Sequence, residues 1–295
     1  MPNLTPPWTD DYPASRKPLA WLRYNLRSLR IRGLKLRDPR LTALHDKYRG
    51  RRCFIMGNGP SLMKRDLTAL KDEITFGANA LFKHFDELGF VPTFWCQVDI
   101  SQAEDWADEL NAARGFTKFV SLKNSFAYAL SPEVITLNSK FTTRHDDPDD
   151  PGEPMFSKNA AAEVYHAQTV TYVALQLAYY MGFSEVYLIG VDHDYGILPE
   201  LFPTGKPIIT AENIELANKF HFAGNHYKIG DRLGIPKFHI IEAGYRLARK
   251  VFEADGRRLV NITDGGKLEI FERDSFDAVL ARPAPTNTQV EGITA

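Results

Sequence analysis

Short apolar runs rich in Val, Ile and Phe recur along this chain, bounded by Gly, Asn or Asp, and between them the apolar positions switch to helical spacing. The runs at 52–56, 74–78, 93–98, 117–122, 185–191, 238–241 and 258–262 predict strands, and 61–70, 102–113, 160–181, 211–222 and 243–254 predict helices. Strands separated by helical segments need crossover connections, so the rhythm predicts an α/β fold. Its form is a Rossmann-like, mostly parallel sheet with helices on both faces. The longest apolar stretch, 169–183, contains Gln176 and two threonines and is shorter than the ~20 residues that span a bilayer, so it reads as a buried helix. Segments 144–154 (RHDDPDDPGEP) and 196–207 are too rich in Asp, Pro and Gly for either element and read as long loops of the kind that form lids or binding loops. Three parts are expected: a basic helical arm at 1–50, a nucleotide-binding catalytic domain at 51–275 and a flexible tail at 276–295.

With 295 residues, 44% hydrophobic and 25% charged, the chain has the composition of a globular protein with a sizeable core. Met1-Pro-Asn followed by Asp10 and Asp11 does not resemble a secretory signal, so a cytoplasmic location is expected. Cys53 and Cys96 fall inside apolar runs, as core thiols do in a reducing compartment, and offer no disulfide or zinc framework. The net charge of −1 conceals an asymmetry: residues 1–52 hold thirteen Lys or Arg against four Asp. Leu19, Trp21, Leu22, Leu26, Leu29 and Ile31 interleave with these charges and make the arm an amphipathic basic helix. Such a helix either lies on an anionic lipid surface, here the inner face of the membrane, or packs its apolar stripe on the main domain. No nucleic-acid partner is expected.

Candidate chemistry sits at strand ends. In CFIMGNGPSL (53–62) a strand runs into a glycine turn, and Pro60 and Ser61 are placed to start a helix whose free N–H groups attract phosphate. Gly57, Asn58, Gly59 and Ser61 are therefore candidate phosphate or ribose contacts, although such a turn can need glycine for geometry alone. Asn79 ends the next strand and either contacts a nucleotide or forms a turn, while Gln97 and Asp99 end the third. After the strand at 185–191 come Asp192, His193, Asp194 and Tyr195, suited to orienting a sugar, assisting a leaving phosphate or, through Asp192 and Asp194, holding Mg²⁺. Thr169 and Thr171 are added as substrate contacts, and His221, His226 and His239 as histidines able to serve as general base. NITDGGKL (261–268) is a further glycine turn that either closes over the ligand or redirects the chain.

Taken in order, RRCFIMGNGPSL, TFGANALF, TVTYVALQLAYYMGFSEVYLIGVDHDY and NITDGGKLEIF resemble the 6-hydroxymethylpterin diphosphokinase MptE-like family, over roughly residues 48–272. The sequence is also similar to the related bacterial CMP-sialic acid-dependent sialyltransferases. The resemblance implies a nucleotide-binding Rossmann-like fold, with Asn58 and Asn79 on the nucleotide, Tyr195 assisting the departing phosphate, and His226 or His239 as base. An arginine that precedes the long helix in the sialyltransferases is unmatched, since this chain has His166 and Ala167 there. The expected activity is transfer from a nucleotide-activated sugar, of CMP-nonulosonate type, to an anionic glycan or lipid-linked acceptor, with no cofactor required. The alternatives are Mg²⁺-dependent pyrophosphoryl transfer from ATP and nucleotide binding without catalysis.

Overall fold

A computed structural model describes residues 7–141, 154–202, 207–224 and 227–283. The strands are β1 (Arg52–Met56), β2 (Thr75–Ala78), β3 (Phe94–Gln97), β4 (Thr117–Ser121), β5 (Val134–Leu137), β6 (Ser139–Phe141), β7 (Val164–His166), β8 (Glu185–Ile189), β9 (Arg258–Asn261) and β10 (Glu272–Arg273). Eight of them form one parallel sheet in the order β10-β9-β8-β1-β2-β3-β4-β5, while β6 and β7 pair separately. Helices cover both faces, which is why the strands are apolar at successive positions instead of alternating. Along β1, Cys53 and Ile55 enter a core shared with Val173 and Leu177 of the Val170–Tyr180 helix, and Phe54 and Met56 enter the opposite core with Leu62 and Tyr187.

From β1 the chain runs outward through β2 to β5 and then returns, so that β8 lies along the other edge of β1, Arg52 opposite Glu185 and Met56 opposite Ile189. Strand order therefore reverses at the carboxyl ends of β1 and β8, where open parallel sheets form a ligand crevice.

The helices differ from expectation in instructive ways. Residues 61–70 make two short 3₁₀ turns, Leu62–Lys64 and Thr68–Leu70, because Arg65 is extended and the Asp66 carboxylate accepts from Thr68 N at 2.8 Å to start a new turn. The helix placed at 102–113 divides into Ile100–Asp105 and Ala107–Ala112 where Trp106 turns into the core. At 160–181 the chain first forms β7, and the helix begins at Val170. Gln176 bridges the two parts, its Oε1 accepting from Ser157 N and Tyr165 N at 3.0 Å. The strand placed at 238–241 is instead the first turn of the Phe238–Ala254 helix. A four-residue apolar run reads equally as strand or helix, and Ile241, Tyr245, Ala248 and Phe252 supply the helical stripe that decides it. The helix expected at 211–222 is shorter, Ile214–Lys219, and β5, β6, β7 and β10 were not foreseen.

The segment from 276, read as a tail, opens with a helix, Phe276–Ala281, whose Phe276 and Val279 are buried. Arg52 holds it by donating to the carbonyls of Val279 and Arg282, both at 3.0 Å. Tail residues 284–295, the 144–154 loop except Pro154, and residues 203–206 of the 196–207 loop lie outside the described residues.

The arm forms the Lys17–Ser28 helix and packs Ala20, Tyr24, Arg27 and Ser28 against residues 122–128. Arg27 donates to the carbonyls of Ser125, Tyr128 and Ala129, the last two at 2.9 and 3.0 Å. Of the two roles open to the apolar stripe, its leucines do not take the packing one: Leu19, Leu22, Leu26 and Leu29 are each at least 50% exposed.

Candidate nucleotide-binding site

A cavity of about 490 Å³ opens at the reversal point, walled by the turns after β1, β2, β3, β4 and β8, by the amino-terminal end of the Val170–Tyr180 helix, and by residues 234–237. Gly57, Asn58, Gly59, Asn79 and Asp99 line it, as do Thr169, Thr171, Asp192, His193, Asp194 and Tyr195. Ser61 and Gln97 are not on its wall. Among the described residues, five other than glycine adopt left-handed φ, and three of these, Asn79 (49°), Gln168 (53°) and His193 (54°), line the cavity. Strain held by surrounding structure is characteristic of binding sites.

The glycines of the first turn are needed by the protein itself. A Cβ on Gly57 would lie 2.3 Å from the carbonyl oxygen of Gly190, and one on Gly59 would lie 1.8 Å from Asp192 Oδ2. The turns after β1 and β8 thus cross in contact and close the cavity floor. Ser61 contributes to this crossing and not to a helix start, since its hydroxyl donates to Asp192 Oδ2 at 2.7 Å and no continuous helix follows. The turn at 263–267 braces the same point: Lys267 N donates to the Asp192 carbonyl at 2.7 Å, Val191 N donates to Thr263 Oγ1 at 3.1 Å, and Gly265 and Gly266 stay off the cavity wall.

Asn58 donates from Nδ2 to the Ala78 carbonyl at 3.1 Å, joining the β1 turn to the end of β2. Its Oδ1, and the Oδ1 of Asn79, are buried with no protein partner among the described residues. Gln97 lies wholly in the core, where its Oε1 accepts from Tyr128 OH. Asp99 caps the Ile100–Asp105 helix, accepting from Ser101 N at 2.7 Å and Gln102 N at 3.2 Å.

The helix whose amino terminus meets the cavity is Val170–Tyr180. Thr169 caps it by accepting from Thr171 N at 3.3 Å, and Gln168, Thr169, Val170 and Thr171 all line the wall. Free N–H groups and the helix dipole favour an anion there. Burial raises the Asp192 carboxyl above the usual range, with the bond from Ser61 opposing. Asp194 is lowered by bonds from Gly196 N (3.0 Å) and Lys267 (3.0 Å). Burial pushes the Tyr195 phenol up to about 12, which keeps it a protonated donor.

Of the histidines proposed as base, His226 lies outside the described residues, and His239 is exposed and off the cavity wall. Among the described residues, the histidines that line the cavity are His166, His193 and His221. Burial brings His166 down to about 4, with Lys123 adding to the shift, and brings His221 down to about 4 as well. Lys123 and Gln168 also line the cavity, and the strand-end rule applied to β4 points to the former. Glu242, with Oε1 3.3 Å from His193 Nε2, has no local sequence signal linking it to the site. Reading 238–241 as a strand hid the Glu242–Arg246 i,i+4 pair that marks a helix there.

No curated protein matches this chain. Among solved structures, the MAf glycosyltransferase from Magnetospirillum magneticum AMB-1 is similar at 16% identity and a TM-score of 0.46, over 78% of this chain and 34% of that one. This chain thus spans about a third of that structure's length. A family model described as 6-hydroxymethylpterin diphosphokinase MptE-like matches residues 33–197, which is 165 of the 295 residues. That match takes in the strands from β1 to β8 and both crossing turns of the cavity floor, and the chain belongs to the 6-hydroxymethylpterin diphosphokinase MptE-like family.

Proposed function

We propose that this protein is a glycosyltransferase that takes a sugar from a nucleotide donor, of CMP-nonulosonate type, to a cell-surface glycan or lipid-linked acceptor. One observation carries the reading: Asn58 and Asn79, each with a buried Oδ1 that has no protein partner among the described residues, line a cavity that also receives a helix amino terminus. A nucleoside phosphate satisfies both ends, its ribose or base donors meeting the asparagines and its phosphate meeting Thr169–Thr171. Tyr195, protonated beside this wall, is placed to donate to the departing phosphate.

The family's name favours a second reading, pyrophosphoryl transfer from ATP, in which Asp192 and Asp194 hold Mg²⁺. Asp192 accepts from Ser61 and Asp194 from Lys267, so a cation bound there with the phosphates of ATP would share or displace these donors. A thermal-shift series with CMP, CDP, UDP and ATP, each with and without Mg²⁺, separates the readings. A ligand at ~100 times its Kd stabilises by ~2.7 kcal/mol. CMP or CDP is expected to raise the melting temperature without metal. A rise confined to ATP with Mg²⁺ would replace the glycosyltransferase with a diphosphokinase, and no rise with any of the four would favour a non-catalytic protein.

The exposed Leu19, Leu22, Leu26 and Leu29 share one face of the arm helix and lie among Lys17, Arg23, Arg30 and Arg32. We infer that this face rests on the anionic inner surface of the cytoplasmic membrane, where a lipid-linked acceptor is presented. Among the described residues no helix is long and apolar enough to cross a membrane, so attachment would be peripheral. Co-sedimentation with phosphatidylglycerol vesicles is the check. Leu22→Glu with Leu26→Glu is expected to abolish it while leaving nucleotide stabilisation intact, and retention by neutral vesicles alone would rule out the charge component.

A further inference from the structure

Glu242 stands just behind the cavity wall, on the second turn of the Phe238–Ala254 helix, and its carboxylate meets His193 Nε2 at 3.3 Å. His193 itself lines the cavity, immediately after the β8 turn that forms the floor. Its left-handed backbone (φ 54°) places the ring between the two elements, and Phe238 and Tyr245 hold it there with centroids 4.6 and 6.3 Å away. A ring fixed by aromatic edges and bonded at one nitrogen to a carboxylate is the arrangement that makes an imidazole an effective base. The carboxylate selects the tautomer and stabilises the cation that forms.

We propose that His193 is the general base of this site and that Glu242 is its positioning residue. The inference rests on the glycosyltransferase reading and assigns its base to His193 in place of His226 or His239. With Nε2–H donated to Glu242, Nδ1 is the nitrogen that takes the proton. As the acceptor hydroxyl gives its proton to Nδ1, its oxygen bonds to the anomeric carbon of the donor sugar. The bond from that carbon to the phosphate oxygen breaks, and its electron pair leaves with the nucleotide.

Among the described residues, the other two histidines on the wall, His166 and His221, are less suited. Lys123 stands close enough to His166 to oppose its protonation. His221 donates from Nδ1 to the Ala217 carbonyl at 3.1 Å, a neutral acceptor that stabilises the imidazolium less than a carboxylate does, and burial brings the ring down to about 4. Burial lowers the pKa of His193 and Glu242 raises it, so the ring is neutral at pH 7 yet able to accept a proton. Charges near the pair among the described residues include Arg246, 3.1 Å from the far oxygen of Glu242, Asp192 and Asp194 on either side of His193, Lys267 on Asp194, and Lys237, which lines the cavity at the start of the Phe238–Ala254 helix.

The test uses the full chain with CMP-N-acetylneuraminate, following CMP release, together with imidazole NMR of His193. His193→Asn is chosen because Asn tolerates the left-handed backbone. It is expected to lower turnover by ~10² to 10⁴ while keeping the CMP-induced rise in melting temperature. Glu242→Gln should lower turnover by roughly tenfold and move the acid limb of the kcat/KM profile to lower pH, because loss of the carboxylate lowers the pKa of the base. A merely structural Glu242 would leave that limb in place. NMR should show a neutral, Nε2-protonated ring at pH 7. Wild-type turnover in His193→Asn, an unmoved limb in Glu242→Gln, or an Nδ1-protonated or charged ring would each overturn the assignment. If the wild-type protein releases no CMP, the donor reading falls, and the NMR tautomer still decides the arrangement of His193.

Discussion

Lowering the pH from 7 to 4 is expected to remove about 3 kcal/mol of folding stability through His166 alone, given its shift from 6.5 to about 4 and ~1.4 kcal/mol per pH unit. The cause is burial at the cavity wall, reinforced by the charge of Lys123 and offset in part by Asp99. At pH 7 the ring is neutral whether the chain is folded or not, and nothing is lost. Below 6.5 the unfolded chain takes up a proton that the folded chain refuses, so stability falls with each unit until about 4, where both states are protonated. His221, held down to about 4 by burial, acts in the same direction and over the same window. Urea midpoints at pH 7.0 and 4.5 for the wild type and His166→Gln measure the effect. The variant should lose less stability than the wild type across this interval, by most of the His166 contribution, whatever its stability at pH 7. Equal losses would mean that His166 gains no more proton affinity on unfolding than an exposed histidine, and that the wall around it is open to water.

What could be read from the sequence depended on whether a signal was local. The strands β1, β2, β3, β4, β8 and β9 stood out because both of their faces are buried, which makes each a compact apolar run, and in all but β4 a glycine, Asn or Asp ends it. Their carboxyl ends then pointed to Asn58, Asn79, Asp99 and Asp192 to Tyr195, all of which the fold gathers on one cavity. The phosphate-suited helix terminus was misplaced because Pro60-Ser61 looks like a helix start, whereas Ser61 bonds to Asp192, 131 positions away in the chain. Glu242 escaped notice for a related reason: its partner His193 is 49 positions away, and no local spacing links them. The arm shows the converse. Its composition identified an amphipathic basic helix, yet which face packs was decided by Arg27 finding the carbonyls of Ser125, Tyr128 and Ala129, and that outcome leaves the leucines outward.

Asp192→Ala is expected to cost about 2–3 kcal/mol of stability and to abolish the stabilisation by nucleotide, whereas Asp192→Asn should cost under ~1 kcal/mol and keep it. Asp192 ties together the turns that form the cavity floor. Oδ2 accepts from the hydroxyl of Ser61 in the first turn, and the carbonyl accepts from Lys267 N in the third. Removing the side chain leaves the buried Ser61 hydroxyl without its acceptor and opens a gap beneath Gly59, whose backbone approaches too closely for any Cβ while Asp192 is present. An asparagine keeps an acceptor oxygen of the same size, and since burial already disfavours the charge on Asp192, losing it costs little. The pair of variants also tests the metal-dependent alternative. A carboxylate that holds Mg²⁺ needs its charge, so in a diphosphokinase Asp192→Asn would be nearly as damaging to ATP binding with Mg²⁺ as Asp192→Ala. Melting curves of both variants with CMP, and with ATP and Mg²⁺, therefore separate a structural tie between turns from a cation ligand. If the Asn variant loses its nucleotide response along with the Ala variant, the floor of this site is held by charge and the crossing turns are secondary.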